Sequence, residues 1–163
     1  MARGVSVSDA RPPGLGAGQT ALGNSAIQSN DYRSAAARYR EVIALQPDNV
    51  AVLNNLAWVL NEQKDPAALE FAEKAYAIAP DNPDVQDTYG WLLTNKGDVK
   101  RGVEILIRAV AAAPKATEPR LHLAKALIKS GDKVGAKREL DLLVSQATGG
   151  AARAEAEKLL QSL

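Results

Sequence analysis

Apolar and polar positions follow one another along this chain with the period of a helix, and the period breaks at regular intervals. From Asn82 to Pro114, NPDVQDTYGWLLTNKGDVKRGVEILIRAVAAAP, one apolar stripe holds Val85, Tyr89 and Leu92, and a second holds Val99, Val103, Leu106, Ala109 and Val110. That is the spacing of two amphipathic helices. Lys96-Gly97-Asp98 divides them, since Gly97 suits the left-handed geometry that ends a helix and Asp98 can cap the next one. Neither helix can cover its stripe alone, and the pair still leaves a flank exposed. Stacking against similar pairs is the arrangement that hides it.

The pattern recurs on both sides. Pro47, Pro80 and Pro114 close three successive units, and Thr148 stands where a fourth proline would fall. Turns recur at Asn30-Asp31, Lys64-Asp65-Pro66, Gly97-Asp98 and Gly131-Asp132. Small residues recur within the first helix of each unit, at Gly23, Ala57, Gly90 and Ala124, and early in the second, at Ala35, Ala68, Gly102 and Ala136. These positions predict close helix crossings. Inward positions are expected at Tyr39, Val42 and Ile43, at Leu53, Leu56, Val59 and Leu60, and at Leu123, Ala126, Leu127, Leu140, Leu143 and Val144. The second unit, Pro47 to Pro80, is one residue shorter than the third, and the deletion falls in a turn where Lys64 replaces the usual glycine. There Asp65 as cap and Pro66 as first helical residue predict the start of the next helix.

A period near 34 residues with small residues at these places marks the tetratricopeptide repeat, TPR, and the chain resembles that family from about Leu15 to Thr148. The resemblance implies an all-α, right-handed superhelix of four helix pairs, at about 15–47, 48–80, 81–114 and 115–148. Residues 1–14 are expected to be a flexible tail, with fraying up to about Gln19 because Gly14, Gly16 and Gly18 weaken the first helix. Within 149–163 a short helix, Ala151 to Ser162, is expected to cap the array through Leu159, Leu160 and Leu163, leaving Arg153, Glu155, Glu157 and Lys158 in water. The segments NNLAW (Asn54 to Trp58) and DTYGW (Asp87 to Trp91) narrow the likeness. They are similar to the C-terminal repeats of TPR lipoproteins of PEP-CTERM/exosortase systems, which accompany exopolysaccharide export in Gram-negative bacteria.

Composition removes several function classes. The 163 residues carry a formal net charge of +1, no cysteine and a single histidine. Near-neutral charge argues against a nucleic-acid partner, and the lack of an apolar run of about eighteen residues predicts no transmembrane segment. The N-terminus lacks an apolar core, which predicts no signal sequence. His122, the single histidine of a chain without cysteine, cannot head a zinc set, and nothing around it forms the strained nucleophile turn of a catalytic triad, so no catalytic residue, metal or cofactor is expected. Asp84, Asp87 and Glu118 suit the first turns of helices better than a cation site. From Lys115 onward nine basic residues face six acidic ones, an excess expected to lie on a solvated face.

The candidate ligand-binding groove centres on Trp58 and Trp91, which share one position in successive units. In the family this helix lines the concave side. The alternative is that both rings are core, but the core positions around them are already filled by aliphatic residues and Tyr89, which favours the groove. Asn24, Asn54, Asn61, Glu62, Asp87, Asn95 and Lys125 are the neighbouring groove positions. A carboxylate clamp of the kind some TPR proteins use is not expected. Asn24 and Asn55 match it, but Thr20, Asp84 and Thr88 replace its basic residues. The resemblance implies a non-catalytic scaffold that binds a protein or peptide partner, in a bacterial envelope assembly for exopolysaccharide secretion. Its setting would be periplasmic or outer-membrane-associated, and cytoplasmic if the lipoprotein likeness does not extend to location. Two other readings remain open: a carbohydrate-binding groove built on Trp58 and Trp91, and a self-associating spacer.

Overall fold

A computed structural model describes residues 15–163, with the side chain of Leu15 left aside. The expected tail at 1–14 lies outside the described residues. The described chain is all helix and turn: α1 (Leu15–Gln28), α2 (Tyr32–Leu45), α3 (Val50–Glu62), α4 (Ala68–Ile78), α5 (Pro83–Lys96), α6 (Val99–Ala112), α7 (Thr117–Ser130), α8 (Lys133–Gln146) and α9 (Ala151–Ser162). Consecutive helices pack as antiparallel pairs. In addition α3 packs on α5, α5 on α7 and α7 on α9. First helices therefore crowd together along one side while second helices fan out along the other, which curves the stack and makes the first-helix side concave. The result is the all-α TPR superhelix.

The turns are built alike. At each of the four, a backbone amide bonds back five residues: Asp31 to Ala26, Asp65 to Leu60, Asp98 to Leu93 and Asp132 to Leu127, at 2.8, 2.9, 3.0 and 3.0 Å. This bond requires a left-handed residue just before the aspartate. Gly97 (φ 100°) and Gly131 (φ 86°) supply it without strain, whereas Asn30 (φ 56°) and Lys64 (φ 58°) supply it against the Cβ penalty. Asp31, Asp98 and Asp132 then cap the next helix by accepting the amide three residues on.

Helix α1 runs from Leu15, through the stretch where the glycines predict fraying. Gly16 is buried against Gln46, where a Cβ would come within 2.8 Å of Nε2, and the Thr20 hydroxyl donates to the Gly16 carbonyl, so packing offsets the weak propensity. Helix α4 begins at Ala68, not at Pro66. Asp65 accepts the Ala67 amide at 2.9 Å and the Ala68 amide bonds to the Asp65 carbonyl at 3.2 Å, a tight turn that precedes the regular helix. Arg153 does not simply face water. Its guanidinium donates to the carbonyls of Val144 and Ala147 and closes the C-terminus of α8.

The small-residue positions are all buried. Helices α5 and α6 cross through a glycine on each side. A Cβ on Gly90 would lie 2.8 Å from Leu106 Cγ and 3.1 Å from the Gly102 carbonyl, and one on Gly102 would fall onto the Thr94 hydroxyl and 2.7 Å from the Gly90 carbonyl. The core follows the stack as overlapping clusters. One runs from Tyr39 and Val42 through Leu56, Val59 and Leu60 to Tyr89 and Leu92, one centres on Leu106, Leu123 and Leu127, and one joins Leu140 and Leu143 to Ala152 and Ala156 of α9. Helix α9 covers the last pair, with Leu159, Leu160 and Leu163 half-buried against it.

Candidate functional site

The first helices place one side chain per turn on the concave side, and three of them enclose a cavity of about 430 Å³. Helix α3 contributes Trp58, Asn61 and Glu62, α5 contributes Asp87, Thr88, Trp91 and Leu92, and α7 contributes Glu118 and His122. Leu92 is buried below, while both indoles are only partly covered. Five of the nine sequence-predicted groove residues meet here: Trp58, Asn61, Glu62, Asp87 and Trp91.

The two rings are held differently. Trp58 packs on the core and meets Tyr32 edge-on, with centroids 5.6 Å apart and planes at 83°. Trp91 is stacked by His122 at 4.6 Å and 10°, and the ammonium groups of Lys125 and Lys129 lie 5.6 and 5.5 Å from its centroid. His122 is fixed in turn by Asp87, whose Oδ1 lies 2.8 Å from Nδ1. One carboxylate therefore orients the imidazole, and the imidazole presses the indole flat.

The other four predicted residues lie outside the cavity. Asn24, on α1, accepts the Tyr39 hydroxyl at 2.6 Å. Asn95 accepts Lys129 Nζ at 2.9 Å, one unit along. Lys125 pairs with Glu155 of α9 at 2.8 Å. Asn54 is half-buried, and its side-chain oxygen is enclosed without a hydrogen-bond partner. Sequence reasoning misses His122 as a site residue because the acid that holds it comes from a different helix. The partner, Asp87, is 35 residues away, within one residue of the repeat period. In a stacked array, positions one period apart on first helices are spatial neighbours, and that offset was the available signal. Glu118 reads in the sequence only as a first-turn acid.

A wider depression of about 800 Å³ lies between α8 and α9, lined by aliphatic side chains such as Val134 and Leu142 and the stems of Lys133, Lys137 and Arg138. It holds no aromatic ring and no converging set of polar groups, so the indole-walled cavity is the stronger candidate. Among the described residues no group of three or more His, Asp or Glu side chains is placed to hold a metal ion, and no helix is long and apolar enough to cross a membrane.

Family models of the tetratricopeptide repeat match residues 20–83 and 95–163. A TPR repeat-containing protein of Pseudomonas aeruginosa is 31% identical over 91 residues, which is 55% of this chain and 15% of that protein. Among solved structures, a thermophilic TPR protein of Thermus thermophilus superposes with a TM-score of 0.80 at 16% identity, covering 90% of this chain and 82% of its own. The TPR protein YrrB, described as having an unusual peptide-binding site, gives a TM-score of 0.70 at 15% identity over 88% of this chain and 74% of its own. MamA gives a TM-score of 0.70 at 18% identity over 93% and 87%. At these identities the structural likenesses show the fold alone.

Proposed function

Because this chain belongs to the tetratricopeptide repeat family, we propose that it is a binding scaffold whose concave side takes a peptide segment of a protein partner. The observation that carries this is the cavity between α3, α5 and α7, walled by two partly exposed indoles and rimmed by side-chain amide, hydroxyl and carboxylate groups. Indoles give large contact area at low side-chain entropy cost, and polar groups beside them can bond a peptide backbone. The peptide-binding site ascribed to YrrB supports a partner of the same class. The role is non-catalytic. His122, the single histidine, is occupied by Asp87 and Trp91.

A finer version follows from the likeness of NNLAW and DTYGW to lipoprotein repeats: service in an envelope assembly for exopolysaccharide export, at the periplasmic side or outer membrane. Gene neighbourhood, and a lipobox in the full-length protein, test that setting.

The groove itself is tested by titrating a peptide library, and a panel of soluble polysaccharides, against tryptophan fluorescence. Trp58→Ala and Trp91→Ala are expected to keep helical content while each weakens peptide binding about tenfold or more. Binding of polysaccharides in place of peptides would overturn the peptide reading in favour of carbohydrate. Loss of helical circular dichroism in both variants would make the rings structural and remove the groove.

A further inference from the structure

The proposal here rests on the groove reading above and names what the indole-walled cavity selects. We propose that it binds a cationic side chain of the partner, an arginine or lysine, laid against the Trp58 and Trp91 rings and neutralised by Glu62 and Glu118.

The charges around the cavity are one-sided. Its ionisable lining consists of Glu62, Asp87, Glu118 and His122, and neither a lysine nor an arginine lines it. Asp87 is engaged by His122 at 2.8 Å. Glu62 and Glu118 form no ion pair among the described residues, although nine pairs tie down carboxylates elsewhere. Two unpaired carboxylates therefore line the same recess as two indoles, and that recess excludes part of the surrounding water. A cation gains there from the ring quadrupoles and from opposite charge together, and an anion loses from both.

The nearby lysines do not reverse this balance. Lys125 is matched by Glu155, and Lys129 is drawn to Asn95. Their ammonium groups lie near Trp91, so the α7 side of this ring already carries two cations. The position that carries Trp58 and Trp91 carries Lys125 one unit later, and the position of Glu62 becomes Asn95 and then Lys129. Helix α7 thus brings Glu118 and His122 to the cavity from its first half and turns basic only at Lys125 and Lys129, beyond the cavity lining. A bound segment would place its cationic residue between Glu62 and Glu118.

The test uses the full chain and small blocked amino acids: N-acetyl-arginine methylamide, its lysine counterpart, and the citrulline counterpart, which keeps the shape of arginine without its charge. Binding is read from the indole N–H resonances of Trp58 and Trp91 in proton–nitrogen correlation spectra. Arginine and lysine probes should shift both resonances, citrulline should bind at least about fivefold more weakly, and added salt should narrow that gap. Glu62→Gln with Glu118→Gln should abolish the preference while circular dichroism stays unchanged. Equal binding of citrulline and arginine, or no shift with any probe, would overturn the proposal. Library peptides that bind through Trp58 and Trp91 without a cationic residue would also overturn it, and would leave the groove reading standing. A charge-selective response to the probes with no peptide binding would overturn the groove reading alone.

Discussion

Gln86 and Arg120 hold the same place in the first helices of the third and fourth helix pairs, and they begin with the same task. Gln86 Nε2 donates to the Pro80 carbonyl and Arg120 Nη2 donates to the Pro114 carbonyl, each at 2.7 Å. Each bond satisfies the carbonyl of the proline that closes the preceding unit. Beyond that the two pairs diverge. In the third pair the aligned residue on the second helix is Ile105, buried, and the side-chain oxygen of Gln86, Oε1, is enclosed without a partner. In the fourth pair it is Glu139, which takes Arg120 Nη1 at 2.6 Å, with the two side chains 7% and 8% exposed. Arg138 adds a second guanidinium to the same carboxylate at 3.2 Å. The register of the repeat fixes the backbone bond but leaves the rest of the layer free to be apolar or ionic, provided both partners change together.

The largest predicted effect tests that proviso. Arg120→Ala leaves Glu139 buried beside only the exposed Arg138, and should lower unfolding stability by about 3–5 kcal/mol. Replacing both residues with the third pair's own choice, Arg120→Gln with Glu139→Ile, should cost far less, within about 1 kcal/mol of the parent. Urea unfolding of the three proteins measures both. A double variant as unstable as Arg120→Ala would mean that the layers are not interchangeable.

The helix crossings sharpen the comparison from the other side. The third pair crosses at Gly90 and Gly102, the fourth at Ala124 and Ala136, and all four are buried. Alanine is at home at position 136, yet Gly102→Ala should destabilise by about 1–3 kcal/mol. The new Cβ would fall onto the Thr94 hydroxyl, which itself donates to the Gly90 carbonyl at 2.9 Å. The gain of about 1 kcal/mol in helix propensity does not offset this. Gly90→Leu, which must displace Leu106 and crowd the Gly102 backbone, should cost at least as much. A Gly102→Ala protein that melts above the parent would show that α5 and α6 have room to separate.

These contrasts also mark how far the sequence could be read. Helix pairing, the turn residues, the small-residue crossings and the aliphatic inward positions were legible, because each depends on spacing within one unit or on the repeat period. The concave placement of Trp58 and Trp91 came from the family likeness plus the filling of the core positions. What was not legible lies between units. Neither the burial of Arg120 and Glu139 nor the hold of Asp87 on His122 follows from one helix's pattern, since each pair joins residues from two helices. The start of α4 was misplaced because Asp65 closes a tight turn before the regular helix begins. Arg153 was assigned to water because a charged residue on a terminal helix looks solvated until the open carbonyls of α8 are in view.

The smallest effect concerns the imidazole beside Trp91. In the third pair the residue aligned with His122 is Thr88, so His122→Thr asks whether the fourth pair needs a ring there. The substitution removes the stack on Trp91 and leaves Asp87 without the imidazole, in a half-buried setting that water can still reach. An aromatic stack is worth about 0.5–1.5 kcal/mol beyond its area, so the loss of stability should stay near 1 kcal/mol and helical content should not change. The indole should respond more than the fold does. With one face uncovered, Trp91 should show a red-shifted emission and a weaker near-ultraviolet dichroic signal, and peptide affinity should fall through loss of a preorganised ring. Because Trp58 leans on Tyr32 and not on His122, its share of the signal, isolated in a Trp91→Phe background, should stay as it was. A change in Trp58 as large as that in Trp91 would mean that the two rings are coupled across the cavity and behave as one surface.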